Sequence, residues 1–129
     1  MVQVRIEVSR GSFLKREGER VEYVSPVPCP FNYGCIEGEL AEDGDPPDVI
    51  LLGPACPRGS LQEAPLVGRV LFRDAGCADP KWVAGHRPPS VVERRAVETF
   101  FRVYAPLRRL LNLLQRKQGE TRYLGVEWY

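Results

Sequence analysis

The sequence predicts a mainly β chain carrying one long α-helix towards its C-terminal end, and three observations predict it. Glycine and proline each occur 12 times in 129 residues. Nearly all of them lie before Ser90, a density that divides a chain into short strands and turns. The segment Val2-Gln3-Val4-Arg5-Ile6-Glu7-Val8 alternates apolar and polar side chains, the period of a half-buried strand. After Ser90 the apolar period lengthens to that of a helix. Residues 1–129 are too few for two domains of ordinary size, so a single domain is expected.

The elements follow in order. Arg20–Val24 reads as a second strand. Val49-Ile50-Leu51-Leu52, closed by Gly53-Pro54, is apolar on both faces and reads as a buried strand. Leu66–Phe72 is another, running straight into Arg73-Asp74, and Trp82-Val83-Ala84 is a short one. Ser90-Val91-Val92-Glu93 is a capping box behind two prolines, with hydroxyl and carboxylate placed to satisfy orphan backbone N–H groups. Val92, Ala96, Val97, Phe100, Phe101, Tyr104, Leu107, Leu111 and Leu114 then share one helical face. The helix is expected to reach about Lys117, before Gly119, with Pro106 kinking or splitting it because proline lacks a backbone donor.

Composition excludes several classes. With 43% hydrophobic and 27% charged residues the chain is not a disordered segment. No apolar run approaches the roughly 18–20 residues needed to cross a bilayer. Charges interrupt the N-terminal segment where a signal peptide needs apolar residues, so a soluble cytoplasmic protein with no membrane partner is expected. The net charge is +1, unevenly spread. Residues 91–118 hold seven cations (Arg94, Arg95, Arg102, Arg108, Arg109, Arg116, Lys117) against Glu93 and Glu98, a net of +5 that leaves −4 elsewhere. The arginines are expected opposite the apolar face, as a solvated surface or a subunit contact. Cys29, Cys35, Cys56 and Cys77 contain no C-x2-C pair and His86 stands alone, so reduced, buried thiols are expected rather than structural zinc.

Two acidic clusters are candidates for chemistry, with a solvated acidic turn as the alternative reading of the first. Glu37 to Asp48 holds six carboxylates and no cation, and Asp43-Gly44-Asp45-Pro46-Pro47-Asp48 packs three of them onto a turn leading into a strand. Unpaired, they would repel by on the order of several kcal/mol, a cost that a hard divalent cation with oxygen ligands removes. Asp74 and Asp79 follow a second strand, with Lys81 two residues on.

Pro30-Phe31-Asn32-Tyr33-Gly34-Cys35-Ile36, the Asp43–Val49 block and Asp74 through Asp79-Pro80-Lys81 together resemble the soluble family I inorganic pyrophosphatases. The resemblance extends from Ile6-Glu7-Val8 and Lys15-Arg16-Glu17 to Phe100-Phe101-Arg102-Val103-Tyr104, about residues 4 to 105. It implies a five-stranded OB-type β-barrel with helix packed outside. It also implies Mg²⁺-dependent hydrolysis of pyrophosphate by a metal-activated water, several Mg²⁺ per site, and a homo-oligomer. Asp43, Asp48 and Asp79 would hold the first metal, with Asp48 bridging to a second, and Asp45 would be the general base. Asp74, Asp79 and Glu17 would take further Mg²⁺, and Glu7 would hold metal-bound waters. Lys15, Tyr33 and Lys81 would grip the phosphate, and Tyr104 would line the substrate site.

The pattern is broken in three places. Val21 stands where the family has an arginine nine residues before the motif's proline, with Arg20 one residue off. Ala105 replaces the lysine after Tyr104, and Cys29 replaces a tyrosine before Pro30. Arg108 and Arg109, one turn beyond Tyr104, are candidate substitutes. Thr99 and Val103 replace histidines used in many bacterial hexamers, which counts against that assembly. Two alternatives are a phosphohydrolase with altered phosphoanhydride specificity and a non-catalytic OB-type module binding nucleic acid through the arginine face. The acidic cluster weighs against the latter, and no nucleic-acid partner is expected.

Overall fold

A computed structural model describes residues 1–12, 14–17, 20–24, 28–41 and 44–129, the segments 14–17 and 20–24 by their backbone only. The order is β1 (Val2–Val8), β2 (Leu14–Glu17), β3 (Arg20–Val24), β4 (Asn32–Ile36), β5 (Asp48–Leu51), β6 (Leu61–Ala64), β7 (Leu66–Asp74), β8 (Cys77–Ala78), β9 (Lys81–Ala84), α1 (Val91–Leu114) and β10 (Arg122–Trp128). Eight strands form one sheet in the order β10-β7-β9-β5-β4-β1-β6, with β8 beside β7, and β2 pairs with β3 as a separate hairpin.

The mainly β class with an outer helix is as expected, but the sheet is not closed. Among the described residues β10 and β6 remain its two edges, so the sheet has more than five strands and is not closed, while the expected fold class stands. The helix is also not the last element, because β10 follows it and pairs antiparallel with β7.

The central strand β5 explains the apolar run that announced it. Ile50 packs into a cluster with Phe31, Val70, Phe72, Val83, Val97, Phe101 and Ala105, while Val49 and Leu51 join Val4, Ile6, Ile36, Ala64 and Ala84 in another. Both faces are covered, so no alternation is visible in the sequence. Its neighbour β9 runs parallel, with Val49 opposite Trp82 and Ile50 opposite Val83. That register brings Asp48 and Lys81, the residues just before, to the same end of the sheet.

Helix α1 begins at the expected cap: Ser90 Oγ accepts from Glu93 N, and the Glu93 carboxylate accepts from Ser90 N. It runs unbroken through Pro106 and ends at Leu114, three residues earlier than expected. Arg116 turns left-handed at φ 57°, and the N–H groups of Arg116 and Lys117 bond back to the carbonyls of Leu113 and Asn112.

The buried face of α1 is narrower than the sequence implies. Val97, Phe101 and Ala105 are buried, but Val92 and Leu114 are mostly exposed, and Asn112 takes an inward place. Phe101 stacks on Phe31 at 6.5 Å, and Phe100 meets Phe31 edge-on at 4.9 Å. Fully burying such a ring contributes about 2–3 kcal/mol, which ties the helix to the strand that carries the P-F-N-Y-G motif. The four cysteines are free as expected, though Cys77 is exposed and the others are only half-buried.

Candidate active site at the end of the central strands

Two glycines and one asparagine shape the ground under the site. A Cβ on Gly34 would lie 1.8 Å from the Arg5 carbonyl oxygen, so β4 can press against β1 only with glycine there. Gly44 turns the acidic loop at φ +85°, a conformation few side chains tolerate. Asn32 is fully buried and uses both ends of its amide. Its Nδ2 donates to the carbonyls of Leu51 and Pro54, and its Oδ1 accepts from the N–H groups of Arg10 and Cys56. The asparagine of N-Y-G is therefore a brace that ties the end of β5 to two loops, with no donor left for chemistry.

The centre of the site is Lys81, only 4% exposed. Its Nζ donates to Asp48 Oδ2 and to Asp79 Oδ2, each at 2.7 Å. Asp48 arrives from the start of β5, and Asp79 from the turn after β8, where its N–H bonds to the Phe72 carbonyl. Burial works against the ammonium charge, but Tyr33, Asp48 and Asp79 outweigh it and hold Lys81 well above its ordinary value. Burial pushes the Tyr33 phenol well up, and Lys81 opposes it. Tyr104 on α1 is pushed up by burial in the same way, with Lys81 and Arg108 opposing. Both phenols thus keep their protons at neutral pH and can donate.

Asp74 goes elsewhere. Its Oδ1 accepts from Asn112 Nδ2 at 2.6 Å and from the Thr121 hydroxyl at 3.4 Å, and its Oδ2 accepts from Arg108 Nε at 3.1 Å. Burial disfavours the Asp74 charge, yet Asn112 and Arg108 hold its carboxyl below the usual range. Arg109 Nε donates to the Thr121 carbonyl at 3.0 Å. The expected outward arginine face is therefore incomplete: two of its members are turned onto the chain.

Of the expected site residues, the structure brings Asp48, Asp79, Lys81, Tyr33 and Tyr104 into one electrostatic group. Asp45 is exposed on the acidic turn, where its carbonyl accepts from Ala41 N. Glu7 lies where the β1–β4 register shifts between Ile6 and Val8, and its charge adds to the burial that pushes the Cys35 thiol up. Lys15 and Glu17 lie on β2, paired through the backbone with Tyr23 and Arg20, and their side chains lie outside the description. Asp43 lies outside the described residues, as do the side chains of Arg20 and Val21. Among the described residues no three carboxylates, imidazoles or thiols form a metal-holding group. The Asp48–Asp79 pair is nevertheless all hard oxygen, and each carboxylate keeps an oxygen that Lys81 does not use, which suits a divalent cation such as Mg²⁺.

Sequence reasoning missed Asn112 and Thr121. The only signal was an asparagine interrupting the leucines of the last helical turns.

The family model of inorganic pyrophosphatase matches residues 4–120. The chain belongs to the inorganic pyrophosphatase family. An inorganic pyrophosphatase of Saccharolobus solfataricus is 40% identical over 93 residues, covering 64% of this chain and 54% of that protein. One from Aeropyrum pernix is 41% identical over 95 residues, covering 65% and 53%. The chain thus spans about half the length of these curated relatives. A soluble inorganic pyrophosphatase of Hordeum vulgare aligns with 96% of the chain at 32% identity, and with 61% of its own length. In structure, an inorganic pyrophosphatase from Helicobacter pylori superposes at a TM-score of 0.76 with 26% identity, covering 98% of this chain and 83% of that one. The Thermus thermophilus enzyme superposes at 0.78 with 24% identity, over 98% and 81%, and speaks for the fold.

Proposed function

We propose that the chain hydrolyses inorganic pyrophosphate to two phosphates with Mg²⁺ as cofactor. The observation that carries the reading is the buried Lys81 ammonium held at 2.7 Å by both Asp48 and Asp79, with the Tyr33 and Tyr104 phenols in electrostatic reach. Groups of both signs interleaved so closely suit a polyanion that arrives with its own cations. A polyanion alone would be repelled by the carboxylates.

In this reading Asp43, Asp48 and Asp79 would hold the first Mg²⁺, and Glu17 and Asp74 would take further ions, Asp74 through the Oδ2 lone pair that Arg108 leaves open. Bound Mg²⁺ lowers the pKa of water and draws charge from phosphoryl oxygens. Asp45 takes the proton from the attacking water. Lys81 and Lys15 place cationic donors on the phosphate, and the protonated Tyr33 and Tyr104 add neutral ones. Glu7 holds ordered water at the rim. In the same reading the working form is a homo-oligomer in the cytoplasm.

The test is phosphate release from pyrophosphate with and without Mg²⁺, in the wild type and in Asp45→Asn. Loss of a positioned base predicts a fall of about 10²–10⁴-fold with an unchanged melting curve. Near-wild-type turnover in Asp45→Asn at saturating Mg²⁺ would remove Asp45 from its role. No Mg²⁺-dependent release from the wild type would remove the reading itself.

A further inference from the structure

We infer that Arg108 contacts the substrate: anchored at one edge by Asp74, it offers its remaining guanidinium donors to a phosphate bound over the Lys81–Asp79 cluster. The inference rests on the hydrolase reading above and adds to it a residue on α1.

Four observations converge. Arg108 Nε is taken by Asp74 at 3.1 Å, while among the described residues Nη1 and Nη2 make no hydrogen bond, on a side chain only 25% exposed. Unused donors at the open end of a partly buried, anchored side chain are available to an acceptor. Arg108 stands one helical turn from Tyr104, on the same side of α1, and the charges of Tyr104 and Asp79 both reach it. Its anchor is fixed in turn, because Asp74 is pinned by Asn112 and Thr121, so little side-chain freedom is lost when a ligand binds. The neighbouring positions differ: Ala105 is buried in the core and offers no side-chain donor, and Arg109 is exposed, with its Nε on the Thr121 carbonyl rather than on a carboxylate of the cluster. The planar guanidinium can hold one carboxylate at one edge and present a two-pronged donor to phosphate oxygens at another, which a lysine cannot do.

The experiment measures kcat and KM for Mg²⁺-supported pyrophosphate hydrolysis in the wild type, Arg108→Gln, Arg108→Lys and Arg102→Gln. It also measures each melting temperature with and without Mg²⁺ plus methylenediphosphonate, which cannot be hydrolysed. Losing a charge-assisted phosphate contact predicts a KM about 10- to 100-fold higher in Arg108→Gln, with kcat changed less than about threefold. The rise in melting temperature caused by the diphosphonate should shrink in step. Arg108→Lys should fall between, and Arg102→Gln, which removes the same charge from an exposed site, should match the wild type. An Arg108→Gln variant that melts lower without ligand but keeps its KM and its diphosphonate response would overturn the inference, leaving Arg108 as a partner of Asp74 only. Should Arg108→Gln fail to fold, a wild-type KM in Arg108→Lys overturns it equally. A wild type that neither releases phosphate nor responds to the diphosphonate fails the hydrolase reading, and the inference with it.

Discussion

Two partly buried carboxylate sites lie at the same end of this molecule and are neutralised in different ways. Asp48 and Asp79 share one cation, Lys81, which comes from the sheet itself and is two residues from Asp79. Asp74 is held by Arg108, Asn112 and Thr121, which lie 34 to 47 residues further along and arrive only when α1 and the chain after it pack against β7. In the first site each carboxylate keeps an oxygen outside the Lys81 contact, so it can still take a metal. In the second every carboxylate oxygen is engaged by the protein. The difference separates carboxylates with a whole oxygen open from one that the protein already clasps at both oxygens.

The largest effect should come from the first site. Lys81→Met leaves Asp48 and Asp79 facing each other without a cation. For a fully buried pair that costs about 3–5 kcal/mol; with both carboxylates roughly 30% exposed, a loss of about 1–3 kcal/mol is expected by urea unfolding. Millimolar Mg²⁺ should return part of it, by mass action on a folded state that alone gathers the ligands. An unchanged midpoint would mean that Lys81 does not bind the site together.

A smaller loss is expected at the clasp. Asn112→Ala takes the 2.6 Å donor from Asp74 and should cost about 1–2 kcal/mol, since Arg108 and Thr121 remain. A loss as large as that of Lys81→Met would erase the contrast between the two sites.

The smallest effect is one of pH. Asp74 has its carboxyl held below the ordinary value, so the stability it contributes is present above the unfolded value of about 3.9 and disappears as pH falls through the lower folded one. The difference in stability between wild type and Asp74→Asn, followed by unfolding from pH 7 to pH 2, should therefore be flat at neutral pH and narrow below about pH 4. A difference that widens on acidification would reverse the sign and remove Asp74 from the clasp.

What could be read from the sequence follows from range. β1 and the capping box are local patterns, and both stand where expected. The Asp48–Asp79–Lys81 grouping was legible through motif resemblance, and its two halves meet because β5 and β9 pair in parallel register. β4 was invisible to hydropathy because its inward side chains include Asn32, and Gly34 has none; both were selected for hydrogen bonding and close approach rather than burial of apolar area. β10 was missed for a related reason: it is an edge strand, with several residues exposed and a glycine at its centre.

The sequence by itself determined β1, β3, β5, β7 and β9, the start of the helix and the acidic turn, because each depends on residues within one turn or one strand of each other. Only the tertiary structure decided that the sheet stays open, that α1 buries Asn112 in place of a leucine, and that Arg108 turns inward. Those outcomes depend on which helical face meets β7 and on the turn at Arg116 that returns the chain to Thr121. Helical spacing gives the direction of a side chain about its own axis. Whether that direction meets water or a carboxylate is set by an element dozens of residues away, here a partly buried Asp74 that accepts from Arg108 and Asn112.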